Sequence, residues 1–465
     1  MSEKIENIEN QDKAVLIGII THDSSESECM ISLDELERLA DTAGIASLAR
    51  LYQNRTSPDP GTYIGKGKLE EVKTIIEAND INIAIVDDEL SPSQIKNIED
   101  VLNERSSFYI EVIDRTMLIL EIFDKHAYTS EGKLQVEIAR LRYTMPRLTG
   151  KGKSMSRLGG GGGGAGAGAR RGSGETKLEI ERRNVKARIA SLEEEIKQLE
   201  VSRGVMRSRR KKTGIPNIAI AGYTNSGKST LLNYLTDAGI FAENKLFATL
   251  DPTTRKLKLP AGTEVLLTDT VGLIRKLPHH LVRAFKSTLD EINYADIILL
   301  VADLSDPEHQ NQLEVAKSLL IEMGVTERPI VTVYNKIDAI HVGDGAIAER
   351  SSAHVPQTSV SDFVAATPFQ KGTCGERECD TMEVFISAKT GEGIDDLLKK
   401  IQEVLENQRK QVVFVFPASG KEQGYISYLY KNAAVSDVEY GEDFTTVKAV
   451  VDNKTRNMYE KYLKE

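Results

Sequence analysis

"PNIAIAGYTNSGKSTLLNYLTDAG", residues 216–239, is the stretch whose reading decides the fold. A short apolar run from Ile218 to Ala221 is followed by a turn and then by leucines at helical spacing, the pattern of a buried strand feeding a helix. The turn fits G-x-x-x-x-G-K-[ST], with Gly222, Gly227, Lys228 and Ser229 at its fixed positions. Glycine there lets backbone N–H groups wrap an anion at the positive end of a helix. Residues Gly222, Tyr223, Thr224, Asn225, Ser226, Gly227, Lys228, Ser229 and Thr230 are therefore expected to cradle phosphates. Lys228 should reach the outer two, and Ser229 should place its hydroxyl on Mg²⁺.

The base is read further along. "VTVYNKID", residues 331–338, is an apolar strand pattern ending in Asn335, Lys336, Ile337 and Asp338. A carboxylate at Asp338 can accept from two donors on the guanine edge, and adenine presents no matching pair. Leaving that charge unpaired would cost on the order of 1.5–3 kcal/mol, enough for a strong guanine preference. "FISAK" adds Ser387, Ala388 and Lys389, a loop whose backbone can meet the base oxygen. Two segments between these motifs are expected to sense the terminal phosphate. In "LLTDTVG", Asp269 can hold a Mg²⁺ water, Thr270 and Val271 follow it, and the Gly272 N–H can bond the phosphate. "FATLDPTTR" supplies Phe247, Ala248, Thr249, Leu250 and Asp251, with Thr249 as the second Mg²⁺ hydroxyl and Thr253 and Thr254 as alternatives. Loss of the terminal phosphate would release both segments. The expected catalytic set is Lys228, Thr249, Asn225 and Gly272.

Composition sets the frame around this centre. The chain has 465 residues, too many for one hydrophobic core, so three or four modules are expected. A net charge of -10 with 28% charged and 40% hydrophobic residues fits a soluble globular protein. The opening "MSEKIENIENQDK" lacks the basic and apolar regions of a signal peptide, and apolar runs such as "DIILLVADL" are too short to span a membrane. A cytoplasmic location is expected, with partial membrane association left open. Cys29, Cys374 and Cys379 are odd in number and lack zinc-ligand spacing, so free thiols are expected rather than disulfides or metal. A monomer is expected.

The fold class expected is α/β and multidomain: a P-loop nucleotide domain preceded by a small α/β domain and a long antiparallel helical hairpin, and followed by a small α/β domain. Residues 1–128 alternate strand runs ("AVLIGII", "INIAIVDD", "FYIEVID") with helix patterns, one of which, "SLDELERLADTAG", opens with a capping box of Ser32 and Glu35. "GKGKLEE", Gly65 to Glu71, reads as a solvated turn, with a phosphate contact and hence a second nucleotide site as the alternative. Residues 129–212 form the hairpin. Leu134, Ile138, Leu141 and Met145 make one seam, ended by Pro146, and Val185, Ile189, Leu192, Ile196 and Leu199 make the other. The P-loop domain covers 213–410 with an insertion at about 340–381, and the last domain covers 411–465. Its Tyr425, Tyr428 and Tyr430 read as core rather than as RNA-stacking residues.

The hairpin tip, 149–174, contains a tract of only Gly and Ala starting at Gly159. Every charged residue from Arg140 to Gly174 is basic: Arg140, Arg142, Arg147, Lys151, Lys153, Arg157, Arg170 and Arg171. Positive charge on a Gly-flexible loop can approach crowded phosphates and order on contact, so an RNA surface is the expected partner, met by Arg147, Lys151, Lys153, Arg157, Arg170 and Arg171. A plain Gly-rich linker is the alternative.

The wording around these motifs resembles one family of the translation-factor-related GTPases, the HflX-type ribosome-associated GTPases. "YIGKGKLEE", "DDELSPSQIKNIE", "VIDRTMLILEIF", "LQVEIARLRY", "SRLGGG", "GSGETKLE", "FATLDPTTR" and "DTVGLIRKLPHHLVRAFKSTLDE" all carry the resemblance, and the last two are the most specific. It implies a Mg²⁺-dependent GTP hydrolase, cycling between GTP and GDP, that binds rRNA of the large ribosomal subunit and splits stalled or idle ribosomes during stress recovery. It would send the tip toward the peptidyl-transferase region. A regulatory GTPase acting on a protein partner, or a ribosome-assembly factor, is the competing function. Three features depart from the pattern: Leu273 replaces the usual Phe, the Gly-rich loop is longer and more basic, and 340–381 looks inserted. Ras-like enzymes place a water-orienting Gln where Leu273 stands, so the water must be placed otherwise. Related enzymes with Asn at the position of Asn225 use it to help bind a monovalent cation, which makes K⁺ a candidate cofactor and the ribosome the expected activator.

Overall fold

The computed structural model describes residues 11–22, 24–147, 170–213, 215–236, 246–247, 252–276, 291–325, 328–341, 382–407, 410–417, 420, 422–451 and 453–464. Contacts divide the chain into two compact units. One comprises Met1–Met206, Phe241–Pro252 and Thr270–Glu291, and the other comprises Arg207–Ile240, Thr253–Asp269 and Ile292–Glu465.

The first unit is built on four parallel strands in the order β2-β1-β3-β4: β1 (Lys13–Ile20), β2 (Ala46–Asn54), β3 (Ile83–Val86) and β4 (Glu111–Asp114). Parallel strands need crossovers, which are the helices α1 (Glu26–Ala43), α2 (Lys66–Asn79) and α3 (Pro92–Leu102). Every residue of β3 is buried, the continuous apolar run of a strand covered on both faces. Leu69, Val72 and Ile76 of α2 and Ile98 and Leu102 of α3 pack against Val15, Ile17 and Val86. After β4 the chain turns directly into α4 (Arg115–His126), capped by Asp114.

Two local expectations change here. The capping box of α1 is Ser25 with Glu28, one turn and a half earlier than the Ser32–Glu35 pair. Ser32 and Glu35 have the same spacing but lie inside the helix and are buried, because their side chains have partners in the fold rather than at a helix end. At Gly65 the N–H donates to Gln53 Oε1 at 2.8 Å, and Lys68 pairs with Glu71 at 2.9 Å. These groups serve a helix start, so "GKGKLEE" supplies no second nucleotide site.

The helical pair consists of α5 (Ser130–Thr144) and α6 (Arg170–Thr213). Ile138, Ile189 and Leu192 form its buried seam, flanked by half-buried Leu134, Leu141, Val185 and Ile196. Pro146 ends α5 in a single 3-10 turn, Met145–Arg147. Arg188 pairs with Glu137 at 2.9 Å and Arg203 with Glu131 at 2.7 Å.

The second unit holds six strands in the order β10-β9-β8-β5-β7-β6: β5 (Asn217–Gly222), β6 (Thr253–Lys258), β7 (Glu264–Asp269), β8 (Ile297–Asp303), β9 (Ile330–Asn335) and β10 (Met382–Phe385). All neighbours are parallel except β6 with β7. The chain leaves β5 toward β6 and β7 and returns to β8 on the other side, so the strand order reverses at β5. Open α/β sheets bind ligands beyond the strand ends at such a reversal. Helix α7 (Lys228–Thr236) starts there. A separate antiparallel sheet, β11 (Lys410–Pro417), β13 (Phe444–Val451) and β12 (Ala434–Tyr440), packs Phe414, Phe416 and Tyr459 with half-buried Tyr425 and Tyr428. Tyr430 is 61% exposed, so the core expectation fails for that one of the three tyrosines.

The seam makes a quantitative claim. Leu192 is fully buried, so Leu192→Ala should cost about 2–5 kcal/mol of hairpin stability. Hydrogen exchange in α6 reads this: protection should fall sharply, while Leu199→Ala, outside the buried seam, should change it little. Equal effects would refute the packing.

Candidate functional site

The turn between β5 and α7 is shaped by its neighbours. Gly222 has φ 150°, and a Cβ on it would meet the Val301 carbonyl of β8 at 2.2 Å. Gly227 has φ 92°, and its Cβ would meet Asn335 Nδ2 at 2.2 Å. Between them Asn225 takes a left-handed φ of 62°, which asparagine tolerates better than most residues. That alone accounts for asparagine at this position. The hydroxyls of Thr224 and Ser226 are buried without a partner among the described residues, donors suited to an anion. Tyr223 is buried too, and its carbonyl accepts from Lys228 Nζ at 2.7 Å. Burial pulls the Lys228 ammonium down to about 8, against the opposing pull of Asp269.

Ser229 Oγ donates to Asp269 Oδ2 at 2.6 Å, which sets a hydroxyl beside a buried carboxylate at the start of α7. Hard oxygen donors of this kind are what Mg²⁺ takes, so the pair fits that ion. In Mg²⁺ chemistry the metal would neutralise developing charge on phosphate oxygens.

The other strand ends complete the cluster. Asn335 Nδ2 donates to the Ser226 carbonyl at 2.9 Å, and its Oδ1 accepts from the Ala388 N–H at 2.9 Å. The Ala388 N–H, offered by the sequence to a base oxygen, is thus taken by a side chain. Ser387 Oγ donates to Asp338 Oδ1 at 2.6 Å and accepts from Thr390 N at 3.1 Å, aiming the carboxylate. Lys336, at a left-handed φ of 68°, pairs with Asp303 at 2.6 Å. Asp303 was not among the sequence candidates, although "VADLSD" ends a strand in an acid as "LLTD" does. Ile337 is buried, Lys389 is exposed, and Thr230 faces outward on α7.

Phe247, Thr270, Val271 and Gly272 group with the N-terminal unit. The Phe247 ring meets Phe123 of α4 edge-on at 4.7 Å, so its side chain serves that packing and not a base. Val271, Leu273 and Ile274 are buried. Ala248, Thr249, Leu250 and Asp251 lie outside the described residues, as do Lys151, Lys153, Arg157 and the bulk of the 340–381 segment. Arg170 and Arg171 begin α6, with side chains outside the description.

Arg147 leaves the RNA-facing set. It donates to Asp114 Oδ2 and to the Leu90 carbonyl, both at 3.1 Å, and its guanidinium lies 3.4 Å from the Tyr143 ring centroid. Arg140 pairs with Asp124 at 3.6 Å, and Arg142 with Glu193. A charge count along the chain misses acids that the fold brings from elsewhere.

Comparison with known proteins adds an independent line. Residues 30–124 match the family described as GTP-binding GTPase N-terminal, 126–210 the GTP-binding GTPase Middle Region, and 217–336 the 50S ribosome-binding GTPase. The chain is similar to GTPase HflX of Lacrimispora saccharolytica, 45% identical over 98% of this chain and 97% of that one. GTPase HflX of Caldanaerobacter subterraneus is 43% identical over 95% and 91%, and that of Escherichia coli 36% over 87% and 86%.

Two outcomes follow from the geometry. Phosphate needs the charged ammonium, and Lys228 loses its proton near 8 before ligand arrives, so GDP affinity should fall roughly tenfold between about pH 7 and about pH 9. Lys228→Arg stays charged and should flatten that slope in the same fluorescence titration; parallel slopes would rule the assignment out. Asp338→Asn turns one acceptor into a donor. It should cost about a hundredfold in GTP affinity while improving binding of xanthine nucleotides, whose C2 oxygen accepts. Retained guanine preference would show that Asp338 does not read the base.

Proposed function

The chain belongs to the HflX family of GTPases, and from that footing we propose that it binds the large ribosomal subunit and dissociates stalled or idle ribosomes, with GTP hydrolysis controlling release. It is a GTP-binding protein and a GTP hydrolase. The observation that carries the ribosomal reading is the match of residues 217–336, which contain the cradle, to the 50S ribosome-binding GTPases.

Within this reading Lys228 neutralises the outer phosphates, Asp338 holds the guanine edge, and Ser229, Asp269 through water, and Thr249 hold Mg²⁺. The Gly272 N–H senses the terminal phosphate. Leu273 is an apolar, buried side chain with nothing to orient a water, so intrinsic hydrolysis is slow and the ribosome supplies the stimulus. Lys151, Lys153, Arg157, Arg170 and Arg171 meet rRNA phosphates. A tip carrying these five cations on a Gly-rich stretch can follow an irregular phosphate surface, which the acidic remainder of the chain would avoid.

Phosphate release from GTP with and without purified large subunits tests the enzyme side, and a rise with subunits is expected. Replacing Lys151, Lys153, Arg170 and Arg171 together by Gln tests the RNA side. Subunit binding should weaken, and the slope of log affinity against log salt should become shallower by about 3, with GTP affinity unchanged. Undiminished binding with the original salt slope would favour a GTPase that acts on a protein partner instead.

A further inference from the structure

Arg115 is 2% exposed at the start of α4, and the N-terminal domain holds it with three elements. Its Nη1 donates to Asp87 at 2.8 Å after β3, and its Nη2 to Glu35 of α1 at 2.5 Å. Ser32 of α1 donates to Asp87 at 2.6 Å, and Tyr63 to Asp88 at 2.5 Å. A closed structural network would end there, but this one reaches into the segment after D-T-V-G. Lys276 Nζ sits 2.7 Å from Asp87 Oδ2 and 2.7 Å from Asp88 Oδ1, and Arg115 Nη2 donates to the Arg275 carbonyl at 3.4 Å. Counting the named groups, two cations face three carboxylates; without Lys276 a single guanidinium would face all three.

A second grip falls on the other phosphate-sensing segment. The Leu246 N–H donates to Thr42 Oγ1 of α1 at 3.2 Å, and Phe247 packs its ring on Phe123. At both places the gripped residue has a left-handed backbone without being glycine: φ is 51° at Lys276 and 56° at Phe247. Such conformations cost conformational energy and persist where surrounding contacts impose them. These segments are held in shapes that they would leave on release.

We propose that the N-terminal domain latches both phosphate-sensing segments, with Lys276 clamped by Asp87 and Asp88 and Leu246–Phe247 clamped by Thr42 and Phe123, and that GTP must work against the latch while GDP need not. The proposal rests on the assignment of Gly272 and the Phe247–Asp251 segment to the terminal phosphate. Lys276 is a positioning residue in it, touching no nucleotide. The carboxylates outweigh the burial that opposes its charge and hold its ammonium above the ordinary range, so the clamp keeps its charge at neutral pH. Linkage makes the coupling reciprocal: a triphosphate that draws the segments off the latch leaves Arg115, Asp87 and Glu35 less balanced and loosens the domain around them.

The test uses the full chain and compares affinities for GDP and a non-hydrolysable GTP analogue. Lys276→Met and Asp88→Asn should each raise the preference for the analogue about tenfold, within the range of typical couplings, leave GDP affinity nearly unchanged and speed intrinsic phosphate release. Lys276→Arg should behave as the wild type. Thr42→Val, which removes only a hydroxyl from the second grip, should act in the same direction and serves if Lys276→Met does not fold. Hydrogen exchange across residues 32–43 and 83–90 should rise in the wild type with the analogue relative to GDP. Normal wild-type binding with an unmoved preference in the variants, or a lowered one, would overturn the latch alone. A wild type that binds neither nucleotide would overturn the nucleotide reading and the latch with it.

Discussion

Asn335 donates to the Ser226 carbonyl and accepts from the Ala388 N–H, each at 2.9 Å, and so spans the distance between the loop after β5 and the loop after β10 with one buried side chain. Everything else in the cradle is arranged around that span. Gly227 lies so near the amide that any Cβ would collide with it, and Gly222 is pressed as closely by the Val301 carbonyl. Both glycines are therefore demanded by the sheet beneath them as well as by an approaching phosphate. Parallel strands make this possible: β5, β7, β8 and β9 finish at the same edge in Gly222, Asp269, Asp303 and Asn335. An antiparallel sheet would have sent alternate strand ends to opposite edges.

How much of this was legible depended on whether the information was local. The phosphate loop, the strand before it and the helix after it could be read because each residue there acts through its sequence neighbours. The hairpin seam at Ile138, Ile189 and Leu192 was legible for a related reason, since helical periodicity is a local signal of burial. Ser32 and Glu35 show where such reasoning stops. Their spacing suits a capping box, but Ser25 and Glu28 have the same spacing, and only tertiary contacts with Asp87 and Arg115 decide which pair caps. Arg147 failed the same way, because the acid that claims it is 33 residues distant in the chain. Asn335 was assigned to a base when its measured bonds tie two loops together, a role that no spacing rule encodes.

The cost of burying charge explains why the N-terminal domain carries its network where it does. Taking Arg115 out of water is repaid only if its partners are well placed and satisfied themselves, and Asp87 meets that condition through Ser32, Arg115 and Lys276 together. Breaking one member of such a group is felt by the rest, whereas an exposed pair such as Lys399 with Asp396 is worth little. The strongest electrostatic coupling in the first unit is thus placed on the segment that follows Gly272.

The partition of the chain sharpens this point. The boundary between the two units falls between Asp269 and Thr270, inside the four residues D-T-V-G. Asp269 is fixed to Ser229 at the head of α7, while the residues from Thr270 to Lys276 belong by their contacts to the unit that contains Arg115. A change in what Asp269 holds is passed through one peptide bond to a segment anchored on buried carboxylates. Because interfaces of packed side chains and paired charges have discrete arrangements and do not yield smoothly, a small displacement at that bond is resisted until the pairs give way together. A graded contact at the phosphate is converted by this arrangement into a two-position response.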